Sequence, residues 1–256
     1  MRCGFTMYVG VAAAVVVLLM VLLAGCDRQP AADAASVADH TAMLMFMEQE
    51  RGVEPYPTRM VANARYVRID DGEGASDYVL FDRQARLIYS VNTGSRAVMV
   101  VEPQDVPVEP PMELKFEHRK VAVLQDAPTV NDVTPVHYQF VANGEVCFEF
   151  IAVKGLMEDV AAGLREYHAV LASDSAVTFN PIPADMHNAC DMAQHTFAPG
   201  RNLTHGFPIQ EWHSDGYSRT LMEYDEDYLV EPGLFEIPAD FRRYTVQELR
   251  SGGVPG

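Results

Sequence analysis

"PVHYQFVANGEVCFEFIAV" occupies residues 135–153. Two runs rich in Val, Phe, Tyr and Ile flank Asn143-Gly144. Asn-Gly suits a two-residue hairpin turn, because both turn positions need positive φ. β-Branched and aromatic residues fit a pleated, half-buried surface. The stretch predicts an antiparallel hairpin with arms over 136–142 and 145–154.

The same grammar extends in both directions. Upstream, 42–50, 58–70, 77–82, 86–91 and 96–102 read as strands joined by short, turn-rich links such as "DGEG", "RQA" and "NTGS". In "NARYVRID", Ala64, Tyr66 and Arg68 share one face, and Arg65, Val67 and Ile69 the other. Neither face is purely polar, so one side is expected to be covered and the other only partly wet. "MLMFM" (43–47) reads as core first, with an apolar cavity lining as the second reading. "EPQDVPVEPP" (102–111) holds four prolines, which excludes a central strand or a helix interior. It reads as a long loop within one sheet, with a domain boundary as the alternative. Strands resume at 112–124, and later at 207–214, 217–225 and 231–245. Two helices break the run. Over 156–173, Val160, Leu164, Tyr167 and Leu171 form one apolar stripe. The second covers 183–197, with Pro183 and Asp185 near its start. About eleven strands and two helices make an α+β chain, mostly β, with an antiparallel sheet curling around a small helical layer.

The N-terminus carries an address. Met7 to Gly25 has no charged residue and is followed by Cys26. "LAGC" (23–26) looks like a bacterial lipobox, which makes 1–25 a lipoprotein signal peptide and Cys26 the lipid attachment point. The alternatives are an uncleaved anchor, since the run is about as long as a membrane span, and an ordinary secreted protein. Residues 26–41 are small and polar and read as a flexible tether, followed by a single domain over 42–250. Asp27 resembles an inner-membrane retention signal, which places the domain on the periplasmic side; the outer membrane is the alternative. The chain has net charge −17. Residues 1–25 hold one basic and no acidic residue, so the remainder is more acidic still. Such a surface repels nucleic acid and anionic headgroups, and the lipid must supply membrane attachment.

Four cysteines are present. Cys3 leaves with the leader and Cys26 is acylated. Cys147 and Cys190 remain, as one expected disulfide in an oxidising compartment. The competing readings are two free buried thiols, or Cys190 as a metal ligand.

The meander "RMVANARYVRID…DYVLFDRQARLIYSV…RAVMVVE" and the closing "FPIQEW…SRTLMEYD…GLFEIPADFRRY" resemble the LolA-like half-barrels of bacterial periplasmic proteins. The likeness covers about two-thirds of the chain beyond the leader. It implies a strongly curved antiparallel sheet with helices on its concave side, and a cavity that carries or senses lipids and acyl chains. No functional residue transfers by position, because such binding depends on an apolar lining.

Two constellations hold residues suited to chemistry. "MHNACDMAQH" (186–195) sets His187, Asp191 and His195 at helical spacing, with Cys190 and Met192 beside them. Such donors suit copper, but a surface helix with two histidines explains the same residues, so His187 and His195 are weak metal candidates. "EWHSDGYS" (211–218) contains Ser, His and Asp too close in sequence to converge as a triad. It reads as a hairpin turning at Asp215-Gly216. No catalytic residue and no cofactor are expected. The expected function is a lipid-anchored periplasmic binding or interaction protein that holds an apolar ligand or acyl chain. The alternatives are copper handling by the 186–195 helix, or a structural envelope subunit without ligand.

Overall fold

A computed structural model describes residues 40–72, 74–105, 108–179 and 188–252. The leader, Cys26, Asp27, nearly all of the tether and His187 lie outside the described residues. The described strands are β1 (Ala42–Gln49), β2 (Tyr56–Ala62), β3 (Tyr66–Asp70), β4 (Tyr78–Asp82), β5 (Leu87–Asn92), β6 (Ala97–Val101), β7 (Phe116–Val123), β8 (Val136–Ala142), β9 (Glu145–Val153), β10 (Phe207–His213), β11 (Ser218–Asp225) and β12 (Arg242–Thr245). Between β9 and β10 come α1 (Glu158–Phe179), α2 (Ala189–Met192), a π-helical turn (Ala193–Phe197) and a 3₁₀ turn (Arg201–Thr204). The helix α3 (Val246–Arg250) follows β12. No helix among the described residues is long and apolar enough to cross a membrane.

All twelve strands form one sheet that does not close, in the order β12-β6-β5-β4-β3-β2-β1-β11-β10-β9-β8-β7. The 135–153 hairpin forms as β8 and β9, turning on Asn143 and Gly144, both at positive φ. Four expectations need correction. The sheet is mixed: β12 runs parallel to β6. Its chain arrives from β11 across the face of the sheet, so no hairpin dictates its direction. The single strand expected over 58–70 is two, because the Asn63 carboxamide oxygen accepts the N–H groups of Arg65 (2.9 Å) and Tyr66 (2.7 Å) and turns the chain. The strand expected over 231–245 is confined to 242–245; Pro232, Gly233 and Pro238 keep the preceding segment out of the ladder. In the second helix, residues 183–187 lie outside the described residues; among those described, α geometry covers Ala189 to Met192 and a wider π-helical turn carries the chain to Phe197.

Both faces of the β3–β6 region are covered. On the inner face, Val160, Ala161, Leu164 and Val170 of α1 pack with Leu44, Phe46, Met60, Val67, Phe81 and Ile88 in one continuous core. Close approach needs Gly163, whose Cβ would stand 3.0 Å from Val67 Cγ2. A fork of hydrogen bonds from Arg83 to Glu166 (2.8 and 3.0 Å) fixes the helix. On the outer face lies the segment before β12. Arg68 donates to Leu234 O (2.6 Å), Tyr78 to Glu236 O (2.6 Å), and Tyr66 stacks on Phe235. Phe241 seals a small second core with Val91 and Val98.

Cys147 and Cys190 form a disulfide with a Cα–Cα separation of 5.1 Å, joining β9 to α2. Their buried neighbours are Phe140, Phe148, Phe150, Ala193 and Ala198. The bond closes a loop with a sequence separation of 43. Replacing both cysteines by serine is expected to lower stability by about 4 kcal/mol. Urea unfolding of the double variant checks this; an unchanged midpoint would refute it.

Candidate functional site

Beyond α1 the inner face changes character. Strands β8 to β11 present Phe140, Phe148, Glu211, His213 and Arg219, and the β10–β11 turn presents Tyr217, toward the α2, π-helical and 3₁₀ turns. Between them lies a cavity of about 370 Å³, completed by His168, Leu171 and Ser175 of α1, Gln194 and His195 of the π-helical turn, and the stretch 198–202. A second depression of about 510 Å³ shares Gln194, His195, His213 and Tyr217 with it.

Strand register places the polar groups. Arg219 on β11 stands opposite Glu48 on β1 and Glu211 on β10, so the three lie in a row across neighbouring strands. Arg219 packs its guanidinium over the Phe46 ring at 3.6 Å. Glu48 Oε1 lies 3.7 Å from Arg219 Nε, close enough to attract but too long for a hydrogen bond. Glu211 is buried and accepts a hydrogen bond from Asn202 Nδ2. Burial lifts its carboxyl above the usual range, against smaller lowering effects of Arg219 and the Asn202 bond. Tyr217 is also raised, chiefly by burial. His213 is lowered by burial, and Gln194 Nε2 lies 3.0 Å from its Nδ1. Its ring stacks on Phe148 with centroids 4.8 Å apart.

His168 is held neutral. Burial pushes its pKa down to about 4, with Arg219 and His195 adding to the effect. The unfolded ring takes a proton below about pH 6.5, whereas the folded ring resists until about pH 4. The contribution to stability is therefore full above 6.5 and is lost as pH falls toward 4, a loss of about 2 kcal/mol by pH 5. His168→Gln is expected to flatten this part of the stability–pH curve, read from urea midpoints at pH 7 and pH 5. An unchanged slope would show that the ring is not the source.

The sequence candidates are distributed unevenly. His195 lines both cavities, but Cys190 is held in the disulfide and its thiol cannot ligate a metal. Among the described residues no group of three or more His, Cys, Asp or Glu is placed to hold a metal. The hairpin set aside as a plain turn supplies Glu211, His213 and Tyr217. Alternate residues of one strand share a face, which brings Glu211 and His213 to one side. The useful signal was a Glu and a His two apart in a strand that opens with the apolar Phe207 and Ile209. Ser214 and Asp215 are exposed; Asp215 Oδ1 accepts the Tyr217 N–H at 2.9 Å.

No family model matches the chain, and no curated protein matches it. Among solved structures, it is similar to an uncharacterized conserved protein from Thermus thermophilus, at 10% identity and a TM-score of 0.40, over 81% of this chain and 91% of that one. It is also similar to PNGF-II, at 5% identity and a TM-score of 0.40, over 83% of this chain and 32% of that one. MucB is a third, at 11% identity and a TM-score of 0.34, over 91% of this chain and 66% of that one. At this level of likeness nothing about the site carries over from them. The chain itself defines a mostly β protein with one open, mixed sheet and a polar–aromatic cavity on its inner face.

Proposed function

We propose that this chain is a lipid-anchored binding protein of the periplasm, a half-barrel that holds an amphipathic small molecule. The cavity under β8–β11 carries the reading. Its size lies in the range of small-molecule sites, and it combines apolar walls with a few convergent polar groups. Phe140, Phe148 and Leu171 suit an apolar body; Arg219, Glu211 and Gln194 suit a polar end. The apolar space under α1 is occupied by core side chains, which favours a mixed ligand over a bare acyl chain. Each methylene taken from water contributes about 0.8 kcal/mol, and binding by burial requires no reacting group.

Curvature is supported by the link from β6 to β7. These strands stand ten positions apart in the sheet. On a flat sheet that is about 48 Å. Residues 102–115 could span it only when almost fully extended, at about 3.4 Å per residue. Near the start of the link, Gln104 N–H bonds Ser173 Oγ (3.0 Å) on α1. A rolled sheet shortens the path.

The anchor is assigned to Cys26, with retention at the inner membrane through Asp27. Cys26→Ala is expected to block acylation, and density-gradient fractionation reads the membrane. Native mass spectrometry of the chain purified from membranes tests the ligand. A retained small organic molecule supports the proposal. An empty cavity, or copper alone, would overturn it.

A further inference from the structure

We infer that the polar end of the ligand is a carboxylate held between Arg219 and Glu211, an inference that rests on the binding reading above. The first ground is an orphaned donor. Arg219 Nε is buried and makes no hydrogen bond. Its nearest anion, Glu48, stays at 3.7 Å. A buried N–H without an acceptor is costly, and such a group in a cavity wall points to a missing partner. The face of the guanidinium is taken by Phe46, so its N–H edge is what remains to offer. That edge matches the geometry of a carboxylate.

The second ground is charge. The chain as a whole carries −17. The cavity reverses that sign locally, because its charged lining consists of two arginines, Arg201 and Arg219, and one carboxyl, Glu211. Burial raises the Glu211 carboxyl above the usual range, which lessens its repulsion of a second carboxylate. The third ground is stoichiometry. Glu48 at 3.7 Å already offsets part of the Arg219 charge without a hydrogen bond, and Arg201 lies over the Phe116 and Phe140 rings. A dianion such as phosphate would bring more negative charge than this set can balance; a single carboxylate would not. With Phe140, Phe148 and Leu171 beside it, the ligand class is a monocarboxylic acid with an apolar body.

The test uses two soluble probes of nearly equal shape, 4-phenylbutyrate and 4-phenylbutyramide, titrated by calorimetry into the full mature chain in phosphatidylcholine nanodiscs. The acid is expected to bind about tenfold or more tightly than the amide. Arg219→Gln should remove the preference for the acid over the amide. Should that variant fail to fold, Arg201→Gln and the wild-type comparison still decide, since the preference must appear in the wild type and shrink in the variant. Equal binding of acid and amide would overturn the carboxylate inference while leaving the amphipathic-ligand reading standing. Binding of neither probe would overturn both.

Discussion

Gly206→Ala is expected to destabilise the protein by about 4 kcal/mol or more. Gly206 leads into β10 at φ +123°, and a Cβ there would stand 2.4 Å from Val153 O, 2.5 Å from Val153 C and 2.7 Å from Lys154 N. Those are backbone atoms at the end of β9, which pairs with Phe207 immediately after the glycine. No side-chain rotation relieves such a clash; the two strands must part. Gly144→Ala is the control. Its φ is also positive, at +87°, but an added Cβ meets nothing within 4 Å. It should cost only about 1 kcal/mol, the penalty for an L-residue in that region. The lone Trp212 sits in β10 and reports unfolding by fluorescence. Equal urea midpoints for the two variants would refute the argument.

The second large effect is expected at Asp70. Its carboxylate takes two hydrogen bonds from Arg59 (2.8 and 2.9 Å), one from Arg68 (2.6 Å) and one from the Gly72 N–H (3.0 Å). All three charged side chains are buried. Asp70→Asn leaves two guanidinium groups without the carboxylate they share, at a cost of about 4 kcal/mol. The damage should spread, because Arg68 also bonds Leu234 O and stacks on Tyr78. Hydrogen exchange over 234–241 should therefore rise in this variant. Exchange unchanged there, with a small loss of stability, would show the triad to be dispensable. Burial pushes the Asp70 pKa up, but the bonds from Arg59, Arg68 and Gly72 outweigh it and the net value lies below the ordinary 3.8. Its contribution is thus fully present above the unfolded carboxyl's pKa and is lost as pH falls through the folded one.

The outer-face triad shows where local reading reaches its limit. Alternation in "RYVRID" put Arg68 and Val67 on opposite faces, and the structure agrees. A polar face normally meets water, yet Arg68 and Asp70 are buried, because residues 234–241 return from far along the chain to cover them. Nothing near position 68 encodes that return. The candidate site followed the same course. Glu211, His213 and Arg219 are unremarkable in their own strands. They meet His168 and Gln194 only because β10, β11 and the helical turns stack on one side of the sheet.

What the sequence determined by itself were the properties carried by neighbours along the chain. The Asn143-Gly144 hairpin, the α1 stripe of Val160 and Leu164, and the strand rhythm follow from turn chemistry and side-chain periodicity, which act over a few residues. The Cys147–Cys190 disulfide was the expected reading beside two free thiols or a metal-bound Cys190, and the structure decides for the bond. Tertiary structure decided the parallel seating of β12, the burial of Asp70, and the row of Glu48, Arg219 and Glu211 across β1, β11 and β10. These depend on which strands become neighbours after long connections such as 102–115, and that choice is made by the total area each arrangement buries. No local pattern records it.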